Sequence, residues 1–278
     1  MIQFGVLGSV AIGREGGLVP LRAPMRRNLL AELLLNANRV VSRTRLVDVL
    51  WGDDPPPTAT ASLFNHVMRL RALLAAAAVG CITEMAPGYL IELNPEDLDL
   101  EVFTGLLRRG RAAGAAGDWQ EQADALAAGL ALWRGDPLED VTSPVLRAIE
   151  VPRLAELRLE ALECRIDAQL RLGRGAEVIA ELSGLAAAYP LREHFHAQLM
   201  LACYLTGRQA DALAAYRRAR EVLAEELGVD PGAELRDLHQ RILAADPGLA
   251  VMPQCPGTGD QSGRPASRWA SPSSTRSR

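Results

Sequence analysis

Apolar positions in the first third of the chain change period twice. Over Ile2–Ile12 apolar and small residues alternate, with Ile2, Phe4 and Val6 on one side and Val10 and Ile12 further on, the pattern of a half-buried strand. Gly16–Gly17 marks a turn and Leu18–Leu21 repeats the alternation, which predicts a β-hairpin or small antiparallel sheet ended by Pro24. Met25–Ala37 then switches to helical spacing through Leu29, Leu30, Leu33 and Leu34, and Asn36–Asn38 closes it. Ser42 stands as N-cap of a short helix with Leu46, Val49 and Leu50 on one face, ending at Trp51–Gly52. Asp53–Pro57 is a stiff loop. In Thr58–Leu74, TATASLFNHVMRLRALL, residues Leu63, Val67, Leu70 and Leu74 fall within one narrow arc of a helix capped by Thr58. Cys81–Thr83 and Tyr89–Leu93 bracket Glu84–Gly88, a second hairpin turning at Pro87–Gly88.

Sheet, helix, short helix, loop, long helix and hairpin is the order of a winged helix-turn-helix. In that arrangement the first two helices brace the third, and the hairpin wing lies over the adjacent groove or backbone. At about 100° per residue, the arc opposite the leucines carries Thr58, Ser62, Asn65 and Arg69, flanked by His66 and Arg71. Hydroxyls, an amide and a guanidinium are groups that reach base edges and phosphates in a major groove. A solvated polar face would have the same composition. Arg43 and Arg45 open the short helix, where guanidiniums and N-terminal amides together suit a phosphate; ordinary surface charge is the plainer reading of that pair.

The rest of the chain reads as helix. Asp97–Glu101 leads into Val102–Gly114, and Trp119–Trp133 follows with Ala123, Leu126, Leu130 and Trp133 at helical spacing. Gly135–Asp136–Pro137 breaks the pattern. Pro152 predicts the first turn of a long helix to Leu172. Leu157, Ala161, Cys164 and Ala168 line one face of it and Leu159, Leu162, Ile166 and Leu170 another, so it belongs inside a stack. Leu172–Gly173–Arg174 recurs as Thr206–Gly207–Arg208, a shift of 34 residues from Gly173 to Gly207. That period, with Gly between paired helices, predicts a tetratricopeptide-like array, whose stacked pairs leave a concave surface for a partner. A plain helical bundle with coincident glycines would share the spacing. From Val251 the chain is rich in Pro, Gly and Ser and too poor in apolar groups to offset its ordering entropy, which predicts a disordered tail containing Trp269.

Composition removes several chemistries. The 30 basic residues are all arginine, so P-loop, Schiff-base and kinase-type chemistry, which need a lysine amine, are excluded. Cys81, Cys164, Cys203 and Cys255 are isolated, without CxxC or metal spacing, and are expected as reduced thiols in a cytoplasmic protein. No signal peptide is evident and no apolar run approaches the roughly 18 residues of a membrane span. His194 and His196, two apart, do not share a helix face; Ser42 and Ser62 lack a His/Asp arrangement. No catalytic, metal or cofactor site is therefore expected, and no enzyme. Charge divides unevenly. Residues 1–93 hold nine Arg against seven acids, residues 94–250 hold 17 against 26, and residues 251–278 hold four against one. A mildly basic head on an acidic body suits DNA at one end and protein at the other.

Two stretches carry a family resemblance. AELLLNANRVVSRTRLVDVLWGDDPPPTATASLFNHVMRLRALL with APGYLIEL resembles the head of the actinomycete antibiotic regulatory protein (SARP) family, pathway-specific transcriptional activators. ALALWRGDPLEDV and AYRRAREVLAEELGVDPGAELRDLHQRIL resemble its bacterial transcriptional activation domain. Together they cover roughly residues 2–249. The head is of the OmpR/PhoB type. The resemblance implies that His66, Arg69 and Arg71 lie in the recognition helix, with the arginines on DNA. It implies that Trp51–Pro57 matches a loop that touches RNA polymerase in relatives. Many members carry a polar residue where this chain has Phe64 or Met68, which implies that these positions either read DNA differently or pack against the wing, and the wing turn lacks the basic residues of some relatives. No receiver domain is expected ahead of the head and no ATPase module after the body.

The expected architecture is mostly α: a winged helix-turn-helix (α+β) over 1–93, an α-helical tetratricopeptide-like domain over 94–250, and a tail over 251–278. The expected function is transcriptional activation. Asn65 and Arg69 would contact bases, with Ser62 and His66 beside them, and Arg43, Arg45 and Arg71 would hold phosphates. By resemblance, two or more copies occupy promoter direct repeats spaced by about one helical turn, and the body joins neighbouring protomers or RNA polymerase. Two other readings compete: a tetratricopeptide-like scaffold whose head binds protein, and a ligand-sensing regulator with a small molecule in the helical body.

Overall fold

The computed structural model describes residues 2–14 and 17–249. The tail with Trp269 and Cys255, and Gly16 of the first turn, lie outside the described residues.

The alternating N-terminal run is two strands with a bend between them. β1 (Phe4–Gly5), β2 (Ala11–Arg14) and β3 (Gly17–Pro20) form one antiparallel sheet in that order. Val6, Leu7 and Val10 in and beside the bend are as buried as the strand residues, so burial there does not follow the predicted alternation. Pro24 ends the sheet by opening α1 (Pro24–Leu35), where its missing N–H is no loss. A short strand that the sequence pattern missed, β4 (Val41–Ser42), leads into α2 (Arg43–Trp51). Ser42 Oγ accepts from the Arg45 amide at 3.1 Å, the N-cap expected there. α3 (Ala59–Ala77) follows. Thr58 occupies its N-cap position, but its side chain makes no capping bond: the residue sits at φ −96°, ψ 18°, away from the extended geometry that aims a hydroxyl at the helix. β5 (Cys81–Met85) and β6 (Gly88–Glu92) form the wing, in a second sheet of order β4-β6-β5.

Leu63, Val67, Leu70 and Leu74 of α3 are all buried, with Leu46, Val49 and Leu50 of α2 and Leu29, Leu30, Leu33 and Leu34 of α1. Each such side chain contributes roughly 1.5–3 kcal/mol through apolar burial. This packing turns the other arc of α3 outward.

Among the described residues seven further α-helices follow: α4 (Asp99–Ala115), α5 (Trp119–Leu130), α6 (Pro144–Arg171), α7 (Gly175–Ala188), α8 (Glu193–Leu205), α9 (Gln209–Leu227) and α10 (Ala233–Leu243). α6 begins at Pro144, eight residues before the expected start. Ser143 Oγ caps it through the Leu146 amide, and Pro144 takes the first-turn position assigned to Pro152, which instead lies inside the helix. The 34-residue repeat is structural. Gly173 and Gly207 both have φ near +75°, at 75° and 76°. The amides of Arg174 and Arg208 bond the carbonyls of Gln169 and Cys203 at 2.9 and 2.8 Å. Gly117, at φ 78°, closes a third pair in the same way, with the Asp118 amide on Ala113. Left-handed backbone favours glycine at each turn.

Packing is continuous across the expected boundary at 93/94. One core runs from Phe4 to Ala161 and holds the winged helix together with α4, α5 and the first half of α6; a second runs from Leu159 to Leu249. The junction is polar and specific. The buried Asp99 carboxylate accepts from the amides of Val6 (2.9 and 3.0 Å) and Leu7 (3.1 Å), and from Arg134 Nη2 at 3.0 Å. The Val10 amide donates to Asp140 at 3.0 Å, and Asn28 and Thr142 exchange two bonds of 3.1 Å. Among the described residues no helix is long and apolar enough to cross a membrane.

Candidate nucleic-acid interface

α3 presents Asn65 and Arg69 to solvent, as its leucine stripe requires. Arg69 has no ion-pair partner among the described residues, so its five donors are available to a ligand. Ser62 and His66 form one flank, both half-buried. His66 faces the indole of Trp51 at 6.2 Å between centroids. Its partial burial, with Arg69 and Arg26 nearby, lowers its pKa and keeps the ring neutral at physiological pH.

Arg71 forms the other flank and belongs to the wing. Its Nε donates to the Ile82 carbonyl at 2.8 Å, fixing β5 against α3. Its guanidinium lies 5.8 Å from the centroid of Tyr89, and that of Arg43 lies 5.7 Å from the same ring. Arg43 also pairs with Glu84 of the wing; its bonds to Tyr89 and Glu84 hold it still more firmly charged. The structure thus brings Arg43 and Arg71 together around one tyrosine. Arg45 stands apart: Nε and Nη2 donate to the buried Glu32 carboxylate at 2.8 and 3.3 Å, so its first task is to neutralise a charge inside the fold. The wing reaches this position because Gly88 lies against β4. A Cβ there would stand 1.7 Å from the Val41 carbonyl oxygen, which only glycine permits.

Two residues of the face, Arg26 and Glu84, were not singled out from the sequence, and Phe64 and Met68 were marked there only as departures from relatives. Phe64 and Met68 are 49% and 45% exposed, and at about 100° per residue Met68 lies as near the centre of the outward arc as Arg69. The outward arc therefore mixes apolar and polar groups, where only polar ones were expected. Arg26, on the first turn of α1, is close enough to His66 to act on its pKa. A cation at a helix N-terminus opposes the helix dipole, a placement that a polyanion would relieve; that conflict was a readable signal. Glu84 had no sequence signal, because its pairing with Arg43 depends on the wing's docking.

His194 and His196 are structural. His194 Nε2 meets Asp167 at 3.3 Å and His196 Nε2 meets the Pro190 carbonyl at 2.9 Å. Among the described residues no group of three His, Cys, Asp or Glu is spaced for a metal ion.

The architecture is thus a winged helix-turn-helix head on an α-helical tetratricopeptide-like body. Residues 21–91 match the family model "Transcriptional regulatory protein, C terminal", and residues 98–243 match "Bacterial transcriptional activator domain". The chain is 42% identical over 252 residues to Regulatory protein AfsR of Streptomyces coelicolor, covering 90% of this chain and 25% of that protein. Regulatory protein DnrI of Streptomyces peucetius is 36% identical over 256 residues, covering 89% and 94%. Transcriptional regulator RedD of S. coelicolor is 40% identical over 255 residues, covering 90% and 73%. The solved structure of Mycobacterium tuberculosis EmbR in complex with a low affinity phosphopeptide superposes with a TM-score of 0.85 at 37% identity, over 88% of this chain and 66% of that one. The chain belongs to the SARP family of transcriptional activators. It spans about a quarter of the length of AfsR.

Proposed function

We propose that this chain activates transcription by binding promoter DNA through α3, which lies in the major groove with Asn65 and Arg69 on base edges. Asparagine pairs with adenine and arginine with guanine, each good bidentate pair giving about 1–3 kcal/mol of discrimination. Arg71 and Arg43, grouped at Tyr89, meet phosphates beside the wing, and Arg26 meets them beside α1; Ser62 and His66 border the base-reading residues. Arg45, already paired with Glu32, adds positive potential. Two or more copies occupy direct repeats about one helical turn apart, and the helical body contacts a neighbouring copy or RNA polymerase. The genes are those of a secondary-metabolite pathway. Recruitment, with no chemistry by this protein, then accounts for activation.

The observation that carries this reading is the free guanidinium of Arg69 beside Asn65 on the exposed arc of a helix braced from behind by two others. Footprinting upstream of neighbouring genes tests it. Protected segments repeated at one-turn spacing, lost in Arg69→Ala, are expected. Sequence-blind protection would leave only backbone electrostatics, and no protection at moderate salt would favour the scaffold reading.

A further inference from the structure

The outward arc of α3 is more apolar than a helix facing water requires. Phe64 and Met68 stand one turn apart with about half their surface in solvent. Ala61 and Ala72 continue the stripe on either side, both exposed. The packing of α3 is already complete without them: its buried face is Leu63, Val67, Leu70 and Leu74. Met68 is held in place, its sulfur 3.7 Å from Nη1 of Arg71. The two apolar side chains alternate with Asn65 and Arg69, so any surface that meets the polar pair meets them too.

We infer that Phe64 and Met68 are specificity-determining residues that recognise the 5-methyl groups of two thymines in each operator repeat. This rests on the reading of α3 as the helix in the major groove. There, thymine is the one base that presents a methyl group, and apolar side chains are its complement. Surrounding cations favour DNA as the occupant: Arg69 lies on the same arc, Arg71 beside Met68, and Arg26 within electrostatic reach of the helix. An apolar protein ligand would have no use for three guanidiniums that, among the described residues, pair with no carboxylate. Residues four apart rise about 6 Å along a helix, close to two base steps of 3.4 Å. The two methyl contacts therefore fall about two base pairs apart, between or beside the bases read by Asn65 and Arg69.

The test uses the full chain and a repeat duplex selected by that chain from a random library. Each thymidine in turn is replaced by deoxyuridine, which removes the methyl and leaves the pairing edge unchanged. Binding is expected to weaken about threefold to fivefold at each of two positions about two base pairs apart, the loss of one buried methyl. Phe64→Ala abolishes the effect at one position and Met68→Ala at the other; both variants keep the wild-type melting temperature, since neither side chain is in a core. The inference is overturned if the selected duplexes carry no thymine in the repeat, if deoxyuridine is tolerated throughout, or if the methyl effect persists unchanged in both variants. Failure of the DNA-binding reading looks different: no duplex is enriched at all, or Arg69→Ala selects the same sequences as wild type.

Discussion

The buried Asp99 carboxylate holds head to body, and removing it shows what that junction contributes. In Asp99→Ala, the amides of Val6 and Leu7 lose their acceptor in a region where the neighbouring side chains are buried. Each unsatisfied buried amide costs about 1–3 kcal/mol. Arg134 loses its counter-charge, but its side chain is 31% exposed, so water takes up part of that loss and we count little for it. The expected destabilisation is about 3–5 kcal/mol, in the range for breaking a buried pair. Asp99→Asn keeps an acceptor for most of these donors, and about 1–2 kcal/mol is expected. Arg134→Ala behaves differently with pH. Burial already raises the Asp99 pKa against the bonds from Val6, Leu7 and Arg134, and losing Arg134 raises it further. A raised folded pKa contributes stability that is present in acid and lost as pH rises through it. The Arg134→Ala deficit should therefore be smaller near pH 5 than near pH 8. Urea titration followed by tryptophan fluorescence reads all three variants, because Trp133 packs on Phe103 at 5.3 Å in the same core. A loss below about 1 kcal/mol in Asp99→Ala would refute the reasoning, since two unsatisfied buried amides alone exceed it.

The wing offers a gain. Glu84→Gln releases Arg43 from its carboxylate and removes a negative charge beside the backbone; DNA affinity should rise several-fold, with the salt slope steepened by about one phosphate contact, as read by anisotropy at several salt concentrations. Gly88→Ala forces apart β6 and the Val41 carbonyl; a loss of at least about 2 kcal/mol in chemical denaturation is expected from overpacking, together with weaker DNA binding. His194 has a pKa raised above its usual value: burial lowers it, but the bond to Asp167 and nearby acids outweigh that. Its stabilisation is present below about pH 6.5 and fades as pH rises through the folded pKa. The difference in melting temperature between wild type and His194→Gln should therefore be larger at pH 5.5 than at pH 8.5.

Local periodicity made much of the fold readable. The leucine stripe of α3, the Ser42 cap and the Gly173/Gly207 repeat each rest on contacts within a few residues or on a fixed period, and each stands where expected. Position and pairing across distance were not readable. The third helix pair escaped because its Gly117 does not share the 34-residue spacing: the segment from Ala131 to Ser143 intervenes and docks on the head. Asp99 reaches across 93 residues to Val6, with no local sign of it. In the candidate site, the exposure of Asn65 and Arg69 followed from the stripe behind them. The capture of Arg45 by Glu32 and of Arg43 by Glu84 did not, because those carboxylates come from other elements. For Phe64 and Met68 the sequence left two outcomes open, contact with DNA or packing against the wing, because the choice depends on how the wing docks on α3.

The reading of α3 as a base-reading helix is tested most directly by titrating the full chain, at one fixed salt concentration, against a repeat duplex and a scrambled duplex of the same composition. Wild type should prefer the repeat by about a thousandfold or more. Arg69→Ala should lower that preference by about tenfold to a hundredfold, the value of one bidentate base contact, while scrambled binding falls only modestly. Equal affinity of wild type for both duplexes, or a preference untouched by Arg69→Ala, would contradict it.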